Sequence, residues 1–107
     1  MIVRLRKPDD RAADLSLDTH YLVIGIESDD YRLLGDQGRP YLYPADLFEI
    51  IDPSEPEDWI VEQGEDSERY AYPAELASAG FFEDFFDARQ DAVATFWRIV
   101  NRRLVAA

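Results

Sequence analysis

The residues of this chain whose types could do chemistry gather in two places. His20 is the only histidine, and Ser16, Asp18 and Ser28 lie within eight positions of it, supplying the three residue types of a nucleophile, a base and its orienter. That chemistry needs the side chains hydrogen-bonded in series, and no G-x-S-x-G turn is present to expose a serine. A histidine that opens an extended run reads instead as a strand-edge residue. The second place is acidic. Glu-Pro-Glu-Asp at 55–58 and Gly-Glu-Asp-Ser-Glu at 64–68 carry the hard oxygen ligands that calcium takes. Neither has the D-x-D-x-D-G spacing and terminal glutamate that wrap a cation from one loop, so both read as solvated acidic loops. The five glycines are scattered and make no phosphate cradle, and with no cysteine there is no thiolate nucleophile, disulfide or cysteine-held zinc. The expectation is a chain without catalytic residues, metal site or cofactor.

What the chain has in abundance is charge. Its net charge is −12, and between Asp46 and Asp91 fifteen carboxylates face only Arg69 and Arg89. Four cations sit in the first eleven residues, and Arg98, Arg102 and Arg103 sit in the last ten. Such a field repels nucleic acid and anionic lipid and speeds encounter with a basic protein. No apolar run approaches the length needed to cross a bilayer. The opening MIVRLRKPDD is charged within four residues and lacks the apolar region of a secretory signal, so a cytoplasmic location is expected. Glu62, Glu65, Asp66 and Glu68 are the acidic candidates for a binding surface. Tyr31, Tyr41, Tyr43, Tyr70, Tyr72 and Phe85 are the aromatic ones, because such rings give large contact area at low entropic cost.

The elements that would position these residues follow from periodicity and turn chemistry. At 107 residues and 47% hydrophobic, the chain can bury one core, so residues 1–107 are read as a single domain. Residues 1–72 are mostly strand, 73–86 helical turns or irregular, and 87–105 a C-terminal helix. Ile2 to Leu5, HYLVIGIE, YRLL, RPYLY, FEIID and WIVEQ read as strands, with Ser28-Asp29-Asp30 and Gly35-Asp36-Gln37-Gly38 as turns. Two phrases nearly repeat: YLYPADL at 41–47 and YAYPAEL at 70–76. In each, alternating residues end at a proline that cannot extend a ladder but suits the start of a helical turn, and the closing leucine returns to the core. The agreement stops after seven residues, so it reads as one local solution used twice. In the tail, Val93, Phe96, Trp97, Val100 and Leu104 recur at spacings of three and four, one face of a helix, with Trp97 expected to be buried. Asp87 and Gln90 have the form of a capping box. FFEDFFD at 81–87 either wedges the helix onto the sheet or presents an aromatic anchor in an acidic rim.

Residues 21–52 resemble the middle and end of an SH3-like barrel, in which a long strand leads through a turn into a hairpin, then a strand ending in proline, one 3₁₀ turn and a short closing strand. Pro44 matches the family's proline, Ala45 and Asp46 its turn, and Phe48 to Ile51 its last strand. The resemblance implies an α+β chain: an SH3-like small antiparallel β-barrel with an added amphipathic helix. Of the family's peptide-binding groove only Pro44 carries over; no ALYDY-like segment appears, Tyr31 stands near the tryptophan position and Leu47 replaces the tyrosine. In overall composition the chain is similar to small acidic bacterial immunity proteins, which implies a non-enzymatic binding module for a basic partner protein. The competing expectations are a metal-binding protein or enzyme acting through His20 and the acidic loops, and a subunit that self-associates through its aromatic segment.

Overall fold

HYLVIGIE, rich in β-branched and aromatic residues, forms the longest strand, β2 (His20–Glu27). In the computed structural model, which describes residues 1–106, the other strands are built outward from it. Ala107, the last residue of the domain expected from the sequence, lies outside the described residues. β1 (Ile2–Leu5) pairs with the first half of β2, with Val3 opposite Tyr21. β3 (Asp30–Leu34) pairs with the second half, with Ile26 opposite Tyr31, and β7 (Arg69–Pro73) joins there too, with Ile26 opposite Ala71. β4 (Pro40–Pro44) extends from β3, β5 (Phe48–Asp52) from β1, and β6 (Trp59–Gln63) from β7. All pairings are antiparallel. The main path runs β4-β3-β2-β1-β5 with β7 and β6 branching from β2, and two helices follow, α1 (Phe81–Phe86) and α2 (Gln90–Ala106). The architecture is α+β. Among the described residues no pairing joins β4 to β5, so the sheet stays open rather than closing on itself.

Two cores lie on opposite faces of the curled sheet. The first gathers Val3, Leu5, Tyr21, Val23, Ile26, Leu33, Tyr43, Leu47, Phe48, Trp59 and Ala71 between the strands. The second gathers Ile24, Tyr72, Leu76, Phe81, Phe85, Ala92, Phe96, Ile99 and Val100 between the other face and the helices. β7 feeds both because its side chains alternate, Ala71 toward the strands and Tyr72 toward the helices, and β2 feeds both because its register with β3 shifts between Val23 and Gly25, which puts Val23 and Ile26 in the first core and Ile24 in the second. At Gly25 a β-carbon would stand 2.1 Å from a Tyr72 ring carbon, so only glycine lets that ring lie flat against β2.

The repeated phrase does the same structural work twice. β4 ends at Pro44 and enters a 3₁₀ turn over Ala45–Leu47; β7 ends at Pro73 and enters one over Ala74–Leu76. Each turn drops its leucine into a core, Leu47 into the first and Leu76 into the second. The second tyrosine of each phrase goes the same way, Tyr43 into the first core and Tyr72 into the second.

Two helix expectations are corrected. The buried stripe of α2 is Ala92, Phe96, Ile99 and Val100; Val93 and Trp97 flank it half-buried, and Leu104 is exposed. Apolar residues cover so much of this helix that spacing alone does not set its rotation; Phe81 and Phe85 of α1 do, since they lie in the same core as Phe96. Trp97 instead packs edge-on against Phe96, and the buried tryptophan is Trp59. The capping box does not form either. The Asp87 N–H donates to the carbonyls of Glu83 and Phe85 and closes α1, Ala88 takes a left-handed φ of 60°, and α2 begins at Gln90.

Candidate functional site

The length of β2 holds Ser28 apart from Ser16, Asp18 and His20. His20 is exposed at the start of β2 opposite Arg4, whereas Ser28 lies past the other end in the turn to β3. Ser16 is engaged elsewhere, its hydroxyl donating to Asp36 at 2.5 Å. The acidic loops do not converge: among the described residues no three of His, Asp and Glu come close enough together to hold a metal ion.

The aromatic candidates divide between core and surface, so they do not form one exposed binding surface. Tyr43 and Tyr72 are buried, as is Phe85, so none of the three offers contact area to a partner. Each buried tyrosine donates its hydroxyl to a carboxylate: Tyr43 to Asp14 at 2.5 Å, Tyr21 to Asp36 at 2.6 Å and Tyr72 to Glu27 at 2.5 Å. Burial, reinforced by the acceptor carboxylate, raises the pKa of Tyr21 and Tyr43. For Tyr72 burial also dominates and raises the pKa, against the opposing pull of the Arg32 charge. Of the others, Tyr31 lies half-buried and tilted on Phe48, and Tyr41 is exposed on one side and stacked on Phe86 at 5.6 Å. The four phenylalanines of α1 are all used in packing. Phe81 and Phe85 fill the second core, Phe82 covers Arg32 and Tyr72, and Phe86 lies under Tyr41.

One group that sequence reading passed over is Arg32, the single buried charged side chain among the described residues. It donates to the Tyr72 hydroxyl at 2.8 Å, the Pro40 carbonyl at 2.7 Å and Glu27 at 2.7 Å, and it lies 3.8 Å over the Phe82 ring. This network floors a cleft between β7 and α1, rimmed by Glu62, Tyr70, Gly80 and Glu83. Because the floor cation is neutralised and its rim is anionic, the cleft suits a cationic group rather than an anion.

The acidic candidates do come together. Glu62 near the end of β6, Glu65 and Asp66 in the following 3₁₀ turn and Glu68 just before β7 surround the tip of the β6–β7 hairpin, and Tyr70 donates its hydroxyl to Glu68 at 2.5 Å. Asp66 and Ser67 both have positive φ, 56° and 65°, a tight reversal that points neighbouring carboxylates outward. Elsewhere acids find partners: Arg4 with Glu49, Arg11 with Asp9, Arg69 with Glu55 and Arg103 with Asp58. Hydrogen bonds from Arg11 hold Asp9 down at about 2, and those from Arg69 lower Glu55. From Glu62 to Asp91, by contrast, nine carboxylates occur and none is within ion-pair distance of a cation among the described residues. Comparison with family models, curated proteins and solved structures found no match to this chain.

Proposed function

We propose that this protein is a non-enzymatic binding module that engages a basic partner protein through the acidic surface around the β6–β7 hairpin, in the manner of an inhibitor or immunity protein. The observation that carries this reading is the segregation of charge. Near the two ends Arg4, Arg11 and Arg103 are paired with acids, while the nine carboxylates from Glu62 to Asp91 have no ion pair among the described residues. Unbalanced charge of one sign on one surface destabilises a compact chain through self-repulsion, and an oppositely charged partner relieves it. We read the framework as an SH3-like scaffold whose barrel stays open between β4 and β5. Supporting this, β2 leads through a turn into the β3–β4 hairpin, β4 ends at Pro44, one 3₁₀ turn follows, and β5 returns to pair with β1. A cytoplasmic setting belongs to the same proposal.

The test is capture from the native cell by the wild-type chain and by a variant in which Glu62, Glu65 and Glu68 become glutamine and Asp66 becomes asparagine. A basic protein retained by the first and lost by the second supports the proposal. A partner retained equally by both overturns it.

A further inference from the structure

The sheet has three outer strands, β4, β5 and β6, and they differ in what their open edges offer. In an antiparallel ladder, successive residues point their N–H and C=O alternately toward the neighbouring strand and away from it. The Ala45 N–H donates to the Asp29 carbonyl, which continues the β3–β4 register, so Tyr41 and Tyr43 face β3 and positions 40, 42 and 44 face outward. Two of those three are prolines, and only Leu42 has an N–H to give. The edge of β4 is thus blunted. β5 is interrupted where its register with β1 shifts between Ile2 and Val3.

β6 carries neither device. The Gly64 N–H donates to the Glu68 carbonyl at 2.7 Å, continuing the unbroken register in which Ile60 opposes Tyr72 and Glu62 opposes Tyr70. Residues 60, 62 and 64 therefore face β7, while Val61 and Gln63 turn their N–H and C=O away from it, and β6 pairs with no other strand. The Trp59 N–H is taken by the Pro56 carbonyl. Ile60 and Val61 are 44% and 47% exposed, large values for aliphatic residues in the middle of a strand. The strand contains no proline, lysine or arginine, the usual guards of an open edge.

We propose that the open edge of β6 is a strand-addition site that takes an extended, basic segment of the partner protein, with lysine or arginine alternating with aliphatic residues. This deepens the proposed function and rests on it. The charge selects the occupant. Exposed Glu57 precedes the strand, Glu62 lies on it, and Glu65 and Asp66 follow it. A second copy of this chain would bring the same carboxylates against them, at a net −12 for each molecule, so like charge opposes self-pairing. A cationic segment would instead form bonds to the backbone of Val61 and Gln63. A residue opposite Glu62 would share its face and reach the carboxylate rim of the neighbouring cleft.

The probe is a blocked synthetic peptide of alternating valine and lysine, about eight residues long, with a block-ordered peptide of the same composition as control. Binding is followed by amide exchange in the full chain, wild type and Val61→Pro. At position 61 proline removes an outward N–H and leaves the bonds to β7 intact. Amide dispersion in the free variant, compared with wild type, shows that its fold is kept, and Val61→Thr provides a second variant that retains the N–H. The expected result is preferential binding of the alternating peptide, with exchange at Val61 and Gln63 slowed about tenfold or more. Binding should be lost in Val61→Pro and kept in Val61→Thr. Salt-sensitive binding of both peptides alike, without protection at Val61 and Gln63, overturns strand addition but leaves the acidic surface standing. No binding of either peptide at low salt overturns both readings, and self-association through β6 without peptide overturns the choice of occupant.

Discussion

Arg32 is the residue at which the structure makes its most exposed claim about stability. Its guanidinium is held by three acceptors and capped by Phe82, and its side chain is only 8% exposed, whereas that of Glu27 is 31% exposed. Glu27→Gln preserves shape and one acceptor but removes the only opposing charge within ion-pair distance, leaving a buried cation uncompensated. Breaking a buried pair from one side costs about 3–5 kcal/mol, and because Glu27 reaches solvent the lower end applies, about 3 kcal/mol. Arg32→Met leaves the Pro40 carbonyl without its donor, for about 2 kcal/mol, while Tyr72 still satisfies Glu27. In the double variant the cation that made Glu27→Gln harmful is gone. The two effects should therefore fall short of their sum by about 2 kcal/mol. Urea unfolding of the four proteins, with m-values checked for constancy, reads each number directly. A Glu27→Gln variant within about 0.5 kcal/mol of wild type, or a strictly additive double variant, would refute the idea of a buried, mutually dependent network.

The packing of α2 separates two aromatic neighbours: Phe96→Ala, at a fully buried position, should cost about 3–5 kcal/mol, and Trp97→Ala, on the half-buried flank, about 1–2 kcal/mol. Equal losses in thermal or urea unfolding would mean that the helix is rotated from the position described. On the acid side, Asp9, Asp36, Glu49, Asp52 and Glu55 all have folded pKa values held below their usual range by hydrogen bonds. Their contribution is present above the unfolded pKa near 4 and is lost as pH falls through the lower folded values, so the urea midpoint should drop between about pH 4 and 2. On the alkaline side, Tyr21, Tyr43 and Tyr72 have raised pKa values, so their contribution is complete below about pH 10 and declines above it. Tyrosinate absorbance should then appear together with unfolding, and early titration of all six tyrosines in a folded chain would contradict their burial.

The strands and the repeated phrase were legible in the sequence because alternation, proline and glycine act locally: Tyr-x-Tyr-Pro followed by a helical turn needs no distant residue to be recognised. Which face of each strand is covered was not legible. Tyr41 and Tyr43 alternate identically, yet one stacks on Phe86 and the other enters the core. Nothing local to the YRLL strand marks Arg32, since its partners Glu27, Pro40 and Tyr72 are gathered from β2, β4 and β7. The charge asymmetry was plain from composition, but that the carboxylates of the Glu62–Asp91 stretch lie outside ion pairs depends on where each arginine folds. The outward-facing backbone of Val61 depends on the pairing of β6 with β7, because a shift of one residue would have turned Ile60 and Glu62 outward instead.

The most direct test of the central claim is the association rate of the captured basic partner with this chain as ionic strength is raised, compared with the variant neutralised at Glu62, Glu65, Asp66 and Glu68. Electrostatic steering predicts a wild-type on-rate that falls steeply with salt while the off-rate changes less, and a variant that associates more slowly with a weaker salt slope. Folding stability of the variant should hold or improve as self-repulsion decreases. Identical rates and slopes for the two proteins would contradict the account, because the carboxylates at the β6–β7 tip would then play no part in meeting the partner.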